Sequence, residues 1–212
     1  MVAIMTSPLL HFQAQTLSRG SSSFEFPEIE IEQGDIVGLF GLTGSGKALL
    51  IRILAGLIEI PKPAIFHGEN TGFIFHQNGI LSHHTLLENI VMPIWFSKSN
   101  RTTDQIEDCL TRWNLKDLQD NHMNSLSPQV IKITQYARCD LLNPDIVFVE
   151  RPNQGLTTEQ RKLVNAWVEQ YISQGGALIY TDENHHTFQS MSPRVVRLGG
   201  GNQRLRTILN LG

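Results

Sequence analysis

No stretch of this chain holds about 18 consecutive apolar residues, so nothing in it reads as a helix that crosses a membrane by itself. Cysteine is nearly absent. Cys109 and Cys139 stand far apart with no CxxC, which argues against a disulfide scaffold or a cysteine zinc site and suits a reducing cytosol. Charge is sparse as well: 17% of the 212 residues are charged and the net charge is -3, so no broad basic face for nucleic acid is expected. The opening MVAIMTSPLL has neither a basic n-region nor a long apolar core, and does not read as a secretory signal. Repeats and low-complexity tails are missing too. What remains is a chain 41% hydrophobic, long enough for one core with a modest insertion.

The most informative stretch is Ile36 to Ala55, IVGLFGLTGSGKALLIRILA. Ile36, Val37, Leu39 and Phe40 read as a buried strand of a parallel sheet, and Leu49, Leu50, Ile53 and Leu54 as one side of a helix. Between them lies Gly41-Leu42-Thr43-Gly44-Ser45-Gly46-Lys47. Strand, glycine turn and helix are the setting in which G-x-x-x-x-G-K works as a P-loop. Glycines let backbone N–H groups converge on a phosphate, the helix start adds partial positive charge, and Lys47 supplies a full one. At average glycine usage a bare match arises about once in twenty chains of this length, so the flanks matter. The motif breaks at its last letter: Ala48 stands where a hydroxyl should hold Mg²⁺.

Elsewhere the pattern is that of an α/β chain. Leu9 to Thr16 and Phe24 to Ile31 read as two exposed antiparallel strands joined by a polar turn at Ser18 to Ser23. Pro61-Lys62-Pro63 stops the first helix, and short strands follow at Ala64 to His67 and Thr71 to Phe75. His76 to Thr85 reads as a loop, and the apolar Leu86 to Phe96 is interrupted by Pro93. Thr102 with Gln105, Ser127 with Pro128, and Thr157 with Gln160 mark helix starts. Asp145 to Glu150 and Ala177 to Thr181 are further core strands; a loop and short helix lead to Val195 to Leu198 and a glycine turn, and Arg204 to Leu209 reads as a final strand. The pairs His83-His84 and His185-His186 are read as solvated rather than metal-binding.

This order of pieces resembles the ATP-binding cassette (ABC) ATPases over nearly the whole chain. SLSPQVIKITQYARCDLLNPDIVFVERPNQGL lines up without a gap with that family's signature helix and second nucleotide motif, through Leu126-Ser127, Ala137-Arg138, Leu142-Asn143-Pro144, Pro152 and Gly155-Leu156. GFIFHQNGILSHHTLLENIVMP is similar to the Q-loop region of ABC ATPases serving lipoprotein release, macrolide export and phospholipid trafficking. The resemblance implies one P-loop NTPase domain over residues 1–212: an α/β core of about 1–82 and 141–212 with N-terminal antiparallel strands, and an inserted helical subdomain of about 83–140. It also implies ATP as ligand, held by Gly41 to Leu49 with Arg19, Gln77 and Ser127.

The family's chemistry is nevertheless substituted position by position. The resemblance puts Arg19 where an aromatic would stack on adenine. His76 takes the Q-loop glutamine position, with Gln77 one step away. Pro128-Gln129-Val130 replaces the signature's Gly-Gly-Gln, and Thr157 the D-loop aspartate. Glu150 and Arg151 replace the aspartate and glutamate that end the second motif, and Asp182 the switch histidine. Hydrolysis needs a group to orient the attacking water, and a guanidinium at Arg151 cannot accept a proton. It can still pair with phosphate. Glu150 is left as a possible Mg²⁺ contact displaced by one methylene.

The expectation is therefore a catalytically degenerate ABC subunit. It would bind ATP weakly with little help from Mg²⁺ and sit at the cytoplasmic face of the inner membrane through a permease. It would pair with a second, intact ATPase chain, and lipid or lipoprotein traffic is favoured as its task. An active ATPase using substituted residues, and a regulatory ABC-like module outside transport, remain alternatives. A P-loop kinase would want a hydroxyl after Lys47 and an Arg-rich lid, and neither is present.

Overall fold

The computed structural model describes residues 7–20, 22–77, 79–97, 100–183 and 186–199, and of Arg19 the backbone only. The strand expected at Arg204 to Leu209 lies outside the described residues, as does His185. At the centre is a five-stranded parallel sheet in the order β10-β5-β9-β8-β7. Its members are β5 (Ile36–Phe40), β7 (Thr71–Ile74), β8 (Ile146–Glu150), β9 (Ala177–Asp182) and β10 (Arg194–Arg197). β5 and β8 are buried at every residue, as their unbroken apolar runs require.

Alternation along each strand feeds two separate cores. Val147, Val149, Leu178 and Tyr180 face the helices α2 (Leu86–Phe96), α3 (Thr103–Arg112), α4 (Pro128–Leu142) and α5 (Thr158–Ser173). Ile146, Phe148, Ala177 and Ile179 face α1 (Lys47–Leu54) and the N-terminal strands. An aromatic stack ties the helical side together: Trp113 lies 5.9 Å from Tyr136, Tyr136 5.6 Å from Trp167, and Trp167 5.2 Å from Tyr171. The helices of the insertion thus share one apolar cluster with the sheet.

Helix starts follow the sequence signals closely. Thr85, Thr102 and Thr157 each close a full capping box, and Ser127 accepts from Val130 N–H with Pro128 in the first turn. Two expectations need correction. The long N-terminal strands are four short ones: β1 (Leu10–Phe12) pairs with β4 (Ile29–Ile31) and with β6 (Ile65–Phe66), while β2 (Gln15–Arg19) pairs with β3 (Ser22–Phe26) in a separate hairpin. Pro27 lacks the N–H that a continuous strand would use, and Ser18 pairs with Ser23 within the ladder instead of turning. Nor are these strands exposed throughout, since Leu10, Phe12, Ile29 and Ile31 are fully buried. Pro93 does not interrupt α2. It sits in the helix's last turns, and the apolar face of Leu86, Ile90 and Ile94 holds the helix to the core through it.

The connections set up the site. β5 runs through α1 to β7 at the sheet edge, and β9 lies between β5 and β8. The carboxyl ends of β5, β9 and β8 therefore lie side by side, with Phe40 opposite Asp182 and Thr181 opposite Glu150. Crevices at such a reversal of strand order are where open α/β sheets bind ligands.

Candidate functional site

At the β5 end, the turn Leu42 to Ser45 is closed by Ser45 N–H on Leu42 O at 3.0 Å. α1 then starts from Gly46, at φ 91°, with no side-chain cap on its first N–H groups. A Cβ on Gly46 would lie 2.8 Å from the Phe24 ring, so the hairpin β2–β3 packs against the loop and demands glycine there. Ser45 is 3% exposed and its hydroxyl has no partner among the described residues. Lys47 Nζ donates to Gly41 O and to Leu42 O. Partial burial lowers the Lys47 pKa, Glu183 pulls it up, Arg151 pushes it down and Asp182 raises it. Uncapped helix N–H groups, left-handed glycines and a cation folded over the loop fit phosphate.

The β8 end is built from side chains brought from far along the chain. Glu150 is 4% exposed. Its Oε1 accepts from Arg52 Nε of α1 at 2.8 Å, and its Oε2 from the His76 backbone N–H at 3.1 Å. From α4, Lys132 Nζ donates to Glu150 O at 2.7 Å and Phe75 O at 3.2 Å, and Gln135 Oε1 accepts from Phe75 N–H at 2.8 Å. Arg138 continues the same helix face, donating to Gly79 O and Phe73 O. Spacing of three residues aligns Lys132, Gln135 and Arg138 on one side of α4, where they hold the backbone from Phe73 to Gly79. Burial lowers the Lys132 pKa to about 7, against the pull of Glu150, Asp182 and Cys139. His76 is lowered by burial, Arg151 and Lys132, with Glu150 opposing.

Arg151 follows in a left-handed conformation, φ 48°, its N–H on Thr181 O. Its guanidinium reaches Gln154 Oε1 at 3.2 Å and Glu183 Oε1 at 3.3 Å. The same Glu183 oxygen accepts from Thr43 Oγ1 of the glycine loop at 3.2 Å. Asp182 Oδ2 accepts from Thr187 Oγ1 at 2.6 Å, and Oδ1 from Glu183 N–H at 2.7 Å.

Of the residues singled out from sequence, the fold sets the loop from Gly41 at the end of β5, His76 against Glu150 at the end of β8, and Arg151 with Asp182 in a pocket of about 500 Å³ beside the end of β9. Gln77 is exposed beside it. Ser127 is engaged as the cap of α4, and no hydrogen bond among the described residues links it to the loop. The side chain of Arg19 lies outside the described residues. Magnesium fits poorly. Ala48 offers no ligand atom, both Glu150 oxygens are taken by protein donors, and Asp182 accepts two hydrogen bonds of its own. In the histidine pairs, His84 Nδ1 lies 3.3 Å from Glu88 Oε2, His122 Nδ1 3.0 Å from His83 O, and His186 Nδ1 2.7 Å from Gln189 Oε1. Among the described residues the one grouping of three possible ligands is His11, Glu28 and Glu30 on the antiparallel sheet, an exposed cluster in which His11 Nε2 lies 2.9 Å from Glu28.

Sequence reading missed Arg52, Lys132, Gln135 and Glu183. Lys132 and Gln135 leave a trace, as polar residues at helical spacing on a face otherwise apolar. Arg52 and Glu183 leave none, because their partners are distant in sequence.

A profile of the ABC transporter family matches residues 27–154, more than half the chain. The chain belongs to that family. It carries the family's ATP-binding domain, and its curated relatives include transport proteins of several kinds. The lipoprotein-releasing system ATP-binding protein LolD of Leptospira interrogans is 27% identical over 191 residues, covering 82% of this chain and 81% of LolD. The macrolide export ATP-binding/permease protein MacB of Bdellovibrio bacteriovorus is also 27% identical over 191 residues, but this chain spans only 29% of its length. The sulfate/thiosulfate import ATP-binding protein CysA 1 of Rhizobium meliloti is 24% identical, and the chain spans 55% of it. Among solved structures, an ATP-binding subunit of an ABC transporter superimposes with a TM-score of 0.82 at 16% identity, covering 94% of this chain and 90% of that one. A dimeric cassette in a post-hydrolysis state bound to ADP and Pi gives 0.75 at 18% identity, covering 95% and 100%. At these identities the structural likeness establishes the ABC ATPase fold, α/β with a parallel sheet and antiparallel strands. No described helix is long and apolar enough to cross a membrane.

Proposed function

We propose that this cassette is a nucleotide-holding ABC transporter subunit with little or no hydrolysis of its own. The observation that carries the reading is the β8 end: the carboxylate of Glu150 is spent on Arg52 and His76 N–H, and the next residue is a guanidinium. The Arg151 guanidinium, at the position where the family's water-orienting glutamate would stand, cannot accept a proton from water beside a terminal phosphate. Lys47, the glycine loop and Arg151 supply the attraction for phosphate, so binding is weak and gains little from Mg²⁺. Arg19, Gln77 and Ser127 are proposed as further nucleotide contacts, the last toward a nucleotide held by a partner chain. The residue ranges of about 1–82 with 141–212, and about 83–140, are proposed as core and helical subdomain.

The partners follow from the same reading. A permease anchors the chain at the cytoplasmic face of the inner membrane. Its docking surface is the groove of about 340 Å³ lined by Ile80, Leu81, Met92 and Pro93, beside the exposed Trp95 and Phe96. The second cassette is an intact ATPase chain, because two copies of this one would pair two sites each lacking a water-orienting group. Likeness to LolD, the relative whose length this chain covers most fully among those described above, supports lipid or lipoprotein transport. The comparable likeness to sulfate importers is the competing reading.

The deciding experiment measures nucleotide binding and ATP turnover of the purified chain with and without Mg²⁺, using Lys47→Ala as control. Expected are Mg²⁺-insensitive binding lost in Lys47→Ala and no turnover above that variant. Clear turnover by the wild-type chain, abolished in Lys47→Ala, would overturn the reading. Purifying the membrane complex and weighing it tests the pairing: two different ATPase chains are expected, and two copies of this chain alone would refute it.

A further inference from the structure

We infer that Glu183 sets the ligand class of this site, closing its terminal-phosphate end so that nucleoside diphosphate is taken in preference to triphosphate. The inference rests on the P-loop being the nucleotide site proposed above.

A P-loop holds the first phosphates on its backbone N–H groups while the lysine reaches toward the last. Here the groups whose fields act on Lys47 are Glu183, Arg151 and Asp182, so the last phosphate meets the ends of β8 and β9. That is where one Glu183 carboxylate oxygen already bridges the loop and the sheet, accepting from Thr43 Oγ1 at 3.2 Å and from Arg151 at 3.3 Å. Both donors are of the kind a terminal phosphate oxygen would seek, and an internal carboxylate uses them.

Charge counting points the same way. The charges that act on Lys47 are one cation, Arg151, and two carboxylates, Glu183 and Asp182, with Arg161 further along the pocket that these three line. A diphosphate needs only the loop, the start of α1 and Lys47. A triphosphate must in addition displace Glu183 from Arg151 and place its extra negative charge beside two carboxylates, with Ala48 and the engaged Glu150 offering no cation to offset it. The Arg151–Glu183 pair is about half exposed at each partner, so the contact is modest and reversible. It therefore discriminates between ligands rather than barring either.

Titrate the full chain with ADP and with ATP in EDTA by calorimetry, comparing wild type, Glu183→Gln, Glu183→Ala and Lys47→Ala. Thermal melts confirm folding, which an exposed residue should leave intact. Wild type is expected to bind ADP about three- to tenfold more tightly than ATP, the scale of one exposed ion pair plus like-charge repulsion. Glu183→Gln and Glu183→Ala should each raise ATP affinity by a similar factor while ADP changes less than about twofold. Equal binding of the two nucleotides by wild type, tighter ATP binding, or equal gains for both ligands in the variants would overturn the inference while leaving the nucleotide site standing. No binding of either nucleotide, or binding unchanged in Lys47→Ala, would overturn the site itself and this inference with it.

Discussion

At the β5 end of the sheet the chain presents open backbone donors, and at the β8 end it is bound up by its own side chains. The glycine loop leaves helix N–H groups without a side-chain cap and turns Lys47 and the Ser45 N–H on its own carbonyls. Two strands over, Glu150 is shared between α1 and the loop after β7, and Lys132, Gln135 and Arg138 pin that loop from α4. The two ends answer different physical demands. An anion cradle needs open donors, whereas a buried carboxylate needs every lone pair satisfied. Open donors and a fully engaged carboxylate thus stand at the ends of strands in one sheet.

The largest effect should come from the packing of the cradle itself. Gly46→Val places a β-branched side chain at φ 91° against the Phe24 ring and is expected to cost about 3 kcal/mol or more in urea unfolding. Gly44→Val, at φ 83° with nothing within 4 Å of the new Cβ, should cost only about 1–2 kcal/mol. Equal costs would mean that the hairpin does not pack on the loop.

Next comes the β8 end. Arg52→Met strips a buried carboxylate of its charge partner and should lose about 2–3 kcal/mol, with Arg52 partly exposed and water moderating the loss. The double variant Arg52→Met with Glu150→Met should regain most of it. An additive double variant would show that the pair is incidental.

Smaller per pH unit is the effect that belongs to Lys132. Its folded pKa of about 7 lies below that of an ordinary lysine, so between pH 7 and 10 the unfolded chain binds a proton that the folded chain has released. Stability should therefore rise with pH across that window, by up to about 1.4 kcal/mol per unit, and this contribution should be flat below it. Urea midpoints for wild type and Lys132→Met at several pH values measure the difference. A rise of equal size in the variant would assign it to other groups.

The smallest effect sharpens the contrast most. Arg151 is half exposed and holds φ 48°, so Arg151→Gly should raise stability slightly, by about 0.5–1 kcal/mol, as the strain is relieved. Nucleotide affinity should fall at the same time. A parallel loss of both would make Arg151 a structural residue of the β8 end rather than a phosphate partner.

Much of the architecture was legible beforehand because its signals are local. The unbroken runs of β5 and β8, the capping threonines at Thr102 and Thr157, and Ser127-Pro128 each act within a few residues of themselves. The glycine spacing of the loop belongs to the same class, since φ above zero is a property of single residues. The N-terminal strands were misjudged where a tertiary choice intervened, with β1 pairing at once with β4 and β6, and Pro93 was overruled by the apolar face of α2.

By itself the sequence determined the glycine turn between strand and helix and most of the strand and helix order, because each is written in residue type and short spacing. Only the tertiary structure decided what the replacements do. Arg52 meets Glu150 across 98 positions, and Thr43 meets Glu183 across 140. Such pairs exist because the parallel sheet sets the ends of β5, β9 and β8 side by side, an adjacency produced by crossover connections that no local pattern encodes.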